Sequence, residues 1–141
     1  MSKPENWYYQ SGIIPYRKTA DSVQIMLVTS RKASRWVIPK GIIEKDLSPY
    51  LSAAKEAFEE AGILGLTDNN ELGEYQYSKW EGTCKVKVYS MEVTEELERW
   101  PEDFRSREWF DIDEAIAKVE EEGLKEIIKL FKKNLPGKST G

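Results

Sequence analysis

The segment Ser48–Gly62, SPYLSAAKEAFEEAG, constrains the fold of this chain more than any other stretch. Ser48 stands where an N-cap belongs, and Pro49 suits the first helical position, where its missing N–H costs nothing. Gly62 is placed to end the helix in a left-handed cap. At about 100° per residue, Tyr50, Ala53, Ala54, Ala57, Phe58 and Ala61 share one arc. Glu56, Glu59 and Glu60 fall on the opposite arc, with Ser52 among them. An alanine-rich face lets a helix sit very close to its support, so the chain must supply a layer for it to lie on.

The rest of the chain reads as that layer and its cover. Tyr8–Tyr16 has aromatic and β-branched character interrupted by Gly12 and Pro15, which predicts an irregular strand. Val23–Thr29 is a mostly apolar run too short for a helix and reads as a buried strand. Lys18–Ser22 is a turn, Ser30–Arg35 a charged loop, and Trp36–Val37–Ile38 a short strand stopped by Pro39. Thr67–Asn70 is a turn cluster. Glu71–Tyr77 and Lys85–Val93 are predicted strands joined by a hairpin loop over Ser78–Thr83. Leu97–Ser106 is a loop, and Glu108–Phe110 a short strand leading to a helix from about Asp111 or Asp113. Ile112, Ala115, Ile116 and Val119, then Leu124, Ile127, Ile128 and Phe131 beyond Gly123, keep helical spacing. This order predicts a mixed sheet flanked by helices.

A chain of 141 residues is long enough to bury a core without disulfides. It is read as a single domain over 1–141, with about 135–141 a disordered tail. The tail Gly137–Lys138–Ser139–Thr140 imitates the end of a phosphate-binding loop, but Lys132 stands where the opening glycine should be. No apolar run approaches the ~20 residues of a membrane span, and the N-terminus has no signal-peptide core. Cys84 is alone, so an internal disulfide is excluded. A cytoplasmic location is the default expectation. The net charge of −4 argues against a nucleic-acid partner. Oligomeric state is not legible.

Charge is distributed unevenly. Arg17, Lys18, Arg31, Lys32, Arg35 and Lys40 crowd the first third, beside the glutamates of the helix. Glu56 and Glu60 are one helical turn apart, with Glu59 adjacent, and such like charges repel unless a cation sits between them. An exposed acidic helix face is the competing reading of the three glutamates alone. The chain has no histidine. This removes histidine-based zinc sites and a Ser-His-Asp triad. A metal here would need oxygen ligands, which points to Mg²⁺, with Mn²⁺ possible.

The longer stretch Gly41–Ile63 resembles the Nudix hydrolase box, Gly-x5-Glu-x7-Arg-Glu-U-x-Glu-Glu-x-Gly-U, where U is aliphatic. Gly41, Glu56, Glu59, Glu60, Gly62 and Ile63 match in register, and Ala57 is a small version of the aliphatic position. Glu44 stands where many members carry a glutamate. Leu47 replaces the first glutamate of the pattern and Lys55 its arginine. Outside the box, Ser30–Arg31, Arg35–Trp36 and Val93–Phe110, with its Arg107-Glu108-Trp109-Phe110 run, resemble the diphosphoinositol and dinucleoside polyphosphate phosphohydrolase branch. Pro39–Lys40–Gly41 is similar to the entry of dinucleoside polyphosphate hydrolases.

The resemblance implies an α/β fold, the Nudix-type α/β/α sandwich. It implies Mg-dependent hydrolysis of a pyrophosphate bond in a small polyphosphorylated molecule. Glu56 and Glu60 would ligate the metal, with Glu59 a third ligand or the group orienting water, and the Gly41 carbonyl would join them. Lys18, Arg31, Arg35 and Lys40 are its candidates to bind phosphates, with Arg107 a weaker one; the competing reading of each is a solvated surface charge. Trp36, Trp80 and Trp109 are each either a stacking platform or core. The family's box arginine holds a glutamate through a forked pair of hydrogen bonds, and Lys55 keeps the charge without the fork. Two alternatives stay open: a smaller nucleoside diphosphate derivative as substrate, and a nucleotide-binding sensor without turnover.

Overall fold

The computed structural model of the chain describes residues 6–135. In chain order the strands and helices are β1 (Trp7–Lys18), β2 (Val23–Thr29), β3 (Trp36–Val37), β4 (Lys40–Ile42), α1 (Pro49–Ala61), β5 (Ile63–Thr67), β6 (Gly73–Lys79), β7 (Gly82–Glu96), β8 (Arg107–Asp111), α2 (Ile112–Lys118) and α3 (Glu122–Lys133). The eight strands form one sheet along β3-β2-β1-β7-β5, with β4 on β1, β6 on β7 and β8 on β2. It is mixed: β1 and β7 run parallel, and the other pairings are antiparallel.

Alternation along the central strands builds two cores. Ile14, Ile25, Leu27, Val86 and Val88 face one side and pack with Leu124, Ile127, Ile128 and Phe131 of α3. Ile13, Met26, Val28, Tyr89 and Met91 face the other and meet Ala53, Ala57 and Ala61 of α1. A strand that is apolar on both faces can only lie between two helical layers. The result is the α/β/α sandwich that the sequence predicts.

Helix α1 begins and ends where the sequence places it. Pro49 opens it after Ser48, whose side chain makes no capping bond. Gly62 closes it at φ 65°, with its N–H on the Phe58 carbonyl. A Cβ on Gly62 would also strike the Trp100 ring, so the glycine serves packing as well as the turn. The arc of the helix is corrected in one respect. Ser52 and Glu60 are buried with the alanines, although both belong to the predicted polar arc.

Other boundaries differ. Strands β4 and β5 are additional, because each is short and takes its identity from its neighbour. Segments β6 and β7 begin later and earlier than expected and close in a two-residue turn at Trp80–Glu81, both at positive φ (55° and 56°). The last helical segment is two helices. They part at Val119, which is extended (ψ 151°) and drops its side chain into the core, and not at Gly123. Gly123 lies inside α3 because a Cβ there would meet Tyr75 Cβ at 2.6 Å. Leu135, placed in the disordered tail by the sequence, is buried against α3 and its core. The remainder of that tail, Gly137–Thr140 included, lies outside the described residues.

Candidate active site

Strand β4 and helix α1 create the site together. Gly41 pairs with Ser11 of β1, and α1 crosses so closely that the Glu56 carboxyl occupies the space a Gly41 side chain would need. One turn on, Glu60 Oε1 accepts from the Lys40 N–H at 3.2 Å. Glu56 and Glu60 are thus brought together against the Lys40–Gly41 backbone. Burial pushes the Glu56 carboxyl up to about 7, helped by Glu60 and Glu59. Burial also raises Glu60, against the opposing pull of Arg105 and Lys40. Two crowded carboxylates that resist ionisation beside a backbone carbonyl form an oxygen donor set suited to a hard divalent cation.

Glu59 is placed differently. Its Oε2 lies 2.7 Å from Lys55 Nζ, and Lys55 also reaches Glu44 Oε2 at 2.8 Å. The lysine at the box arginine position therefore ties the Glu44 loop to the helix. Among the described residues, no three His, Cys, Asp or Glu side chains come close enough together to hold a metal ion. Leu47, at the other departing position, is half-buried with its N–H on the Glu44 carbonyl.

Glu60 also lines a cleft of about 130 Å³, together with Gln10, Ser30, Arg31, Arg35, Val37, Lys40, Tyr77, Lys79 and Arg105. Of the predicted phosphate contacts, Arg31, Arg35 and Lys40 are in this lining. Lys18 is not; it ends β1 opposite Val23 and is exposed. Lys40 is held down to about 8, first by burial and then by the neighbouring Lys79, Arg35 and Arg105 charges, with Glu60 opposing. Its Nζ lies 5.2 Å from the Tyr77 ring centroid, and the Tyr77 hydroxyl donates to Gln10 at 2.7 Å.

Lys79 and Arg105 were missed by sequence reasoning. Lys79 comes from the β6–β7 hairpin, and nothing in its neighbours marks it. Arg105 lies in the loop before β8. Its side chain is only 9% exposed and donates to Glu102 Oε1 from Nε and Nη2 (3.0 and 2.8 Å) and to the Thr29 carbonyl from Nη1 (2.9 Å), with Glu60 Oε2 at 3.9 Å. An arginine thus lies beside a box glutamate, reached from another part of the chain, with its forked donors on Glu102.

Arg107 is corrected as a phosphate contact. It donates to the Ala61 and Gly62 carbonyls (2.7 and 3.3 Å) and to that of Leu97 (2.6 Å). The Glu102 N–H reaches the Glu59 carbonyl and the Trp100 indole the Glu60 carbonyl, so this loop satisfies the open end of α1. The three tryptophans are engaged within the protein. Trp36 packs edge-on against Phe110, Trp109 lies under the Arg17 guanidinium, and Trp80 contacts Tyr8 and Lys79 at the hairpin turn.

The sequence profile of the NUDIX domain matches residues 11–131 of this chain. The chain belongs to the Nudix family. It is 34% identical to Nudix hydrolase 17, mitochondrial, of Arabidopsis thaliana over 134 residues, covering 88% of this chain and 73% of that protein. It is 31% identical to bovine (Bos taurus) diphosphoinositol polyphosphate phosphohydrolase 3-beta over 116 residues, covering 80% and 70%. In fold it matches a C. elegans Ap4A hydrolase binary complex with a TM-score of 0.69 at 20% identity, covering 88% and 94%. By this membership the chain is a Nudix-type pyrophosphohydrolase, and the Gly41–Ile63 stretch is its Nudix box.

Proposed function

We propose that this Nudix chain hydrolyses a pyrophosphate bond in a diphosphoinositol polyphosphate, with dinucleoside polyphosphates as the second substrate class, in a reaction that needs Mg²⁺ and accepts Mn²⁺. The observation that carries the reading is a crowded carboxylate pair beside a cleft rich in basic side chains. Glu56 crowds against Glu60, and Glu60 lines a cleft together with Arg31, Arg35, Lys40, Lys79 and Arg105. Glu56 and Glu60 would share a divalent cation and the basic side chains would take the phosphates, so each group of charges would gain a partner.

Glu56, Glu60 and the Gly41 carbonyl would hold the cation, and Glu59 would join them on leaving Lys55 or would orient the attacking water. When bound, Mg²⁺ would supply charge neutralisation at the phosphates and a source of activated water. Water adds to one phosphorus, the bridging P–O bond breaks, and the displaced phosphate leaves with the bridging oxygen. The proton passes to the coupled carboxylates, which act as a set. The engagement of all three tryptophans favours a substrate read through its phosphates over one held by base stacking. The similarity to a diphosphoinositol polyphosphate phosphohydrolase supports the same choice.

The test is phosphate release from diphosphoinositol, dinucleoside and nucleotide-sugar substrates, with and without Mg²⁺. Activity should require the metal, and Glu60→Gln should lower kcat by about 10³ or more, as expected for loss of a group acting at the reacting centre. Tight nucleotide binding with no product at saturating Mg²⁺ would replace this reading with that of a sensor domain. The proposal also takes the chain to act in the cytoplasm; cell fractionation checks that, given the mitochondrial name of the plant relative.

A further inference from the structure

Ser11 lies inside β1 with no exposed surface, and its Oγ finds no hydrogen-bond partner in the protein. Among the described residues it is the one buried side-chain polar atom so placed. A buried hydroxyl left unpaired is destabilising, so native proteins rarely keep one without use for it.

Its position in the sheet indicates the use. Ser11 is directly opposite Gly41 in the antiparallel β1–β4 ladder. Opposed residues carry their side chains on one face, with Cβ positions about 4.5–5.5 Å apart. On the Gly41 side that face is filled by the Glu56 carboxyl. Two residues along β1, Ile13 packs with Ala53 and Ala57 beneath α1, which fixes the direction of Ser11. The other buried polar groups of this region are satisfied: Ser52 by the Glu44 N–H and the Ile42 carbonyl, and Glu60 by the Lys40 N–H.

We propose that Ser11 is a positioning residue for the cation site, its hydroxyl donating to the Glu56 carboxylate when that group holds a divalent cation. The inference rests on the cation reading of Glu56 and Glu60 given above. A hydroxyl in this place orients a ligand without touching the substrate. Its removal changes how tightly the cation binds and leaves the metal-free fold intact.

The experiment compares wild type, Ser11→Ala and Ser11→Cys by Mn²⁺ binding (electron paramagnetic resonance titration) and by thermal melting without metal. Ser11→Ala should melt at or above the wild-type temperature without metal, since it discards an unpaired group. Its Mn²⁺ Kd should rise about tenfold, at the lower end of what loss of a ligand's supporting hydrogen bond costs. Ser11→Cys, which keeps the size and a weak donor, should fall between the two. Mn²⁺ binding by Ser11→Ala as tight as wild type overturns the proposal. So does a lower melting temperature for the metal-free alanine variant, because the hydroxyl would then already have a structural partner. If wild type itself binds no Mn²⁺, the cation reading of the glutamates fails and this inference falls with it.

Discussion

Lys40 serves the site twice. Its backbone N–H fixes Glu60 and its ammonium enters the cleft among other cations. The folded-state value of about 8 lies below the ordinary 10.5, so between them the folded chain binds fewer protons than the unfolded one. The cost of burying the charged ammonium is therefore fully present below pH 8 and relaxes as pH rises toward 10.5. If Lys40 binds phosphate as proposed, that binding responds in the opposite sense, because neutral lysine attracts no anion. The value of kcat/KM, which reports the free enzyme, should fall above pH 8 in wild type. Lys40→Met should lack that limb; an unchanged alkaline limb in the variant would assign it to another group. At the hairpin turn, Glu81 holds a left-handed conformation (φ 56°) that a side chain disfavours. Glu81→Gly is expected to raise unfolding free energy by about 1 kcal/mol, measured by urea denaturation.

At the scale of elements, α1 depends on a loop about 40 residues further along the chain, as the Trp100–Glu60 bond measures. The last four carbonyls of a helix have no partners within it. Here Trp100, Glu102 and Arg107 supply donors for Glu59, Glu60, Ala61 and Gly62. Arg107 also brings positive charge to the negative end of the helix dipole. Arg107→Ala should destabilise the fold by about 2–3 kcal/mol in chemical denaturation, from loss of charged hydrogen bonds. If it instead raised KM without affecting stability, Arg107 would be a substrate contact. The break between α2 and α3 follows the same logic. Helical spacing runs on through Val119, yet the buried Val119 side chain requires extended backbone, and the glycine that suggests a stop is needed where α3 meets Tyr75.

For the whole molecule, the crowding of Glu56 and Glu60 links stability to pH. Glu56 titrates near 7 in the fold against an ordinary 4.5, so its favourable contribution is complete below pH 4.5 and is lost as pH rises through 7. On the proposed cation reading, a divalent ion would displace that proton. The rise in melting temperature on adding Mg²⁺ should therefore be larger at about pH 8 than at about pH 5.5. Equal shifts at both would place the metal away from Glu56. The described residues contain no helix long and apolar enough to cross a membrane.

The sequence by itself determined the elements whose chemistry is local. A Pro-started, Gly-stopped helix with an alanine face and a buried apolar strand at Val23–Thr29 follow from periodicity and spacing, and the register of the Nudix box from resemblance to the family pattern. Arg31, Arg35 and Lys40 were legible because basic residues flank the box in the chain. Tertiary structure alone decided the rest. Glu60 is buried although its helix arc reads as polar, because β4 supplies a backbone donor and Arg105 a charge. Arg105 and Lys79 reach the cleft from loops far away in sequence, where no spacing rule connects them to Glu60. Ser11 gains its meaning only from lying opposite Gly41. Long-range pairing places these groups, and the pairing partner of a side chain is not written in its neighbours.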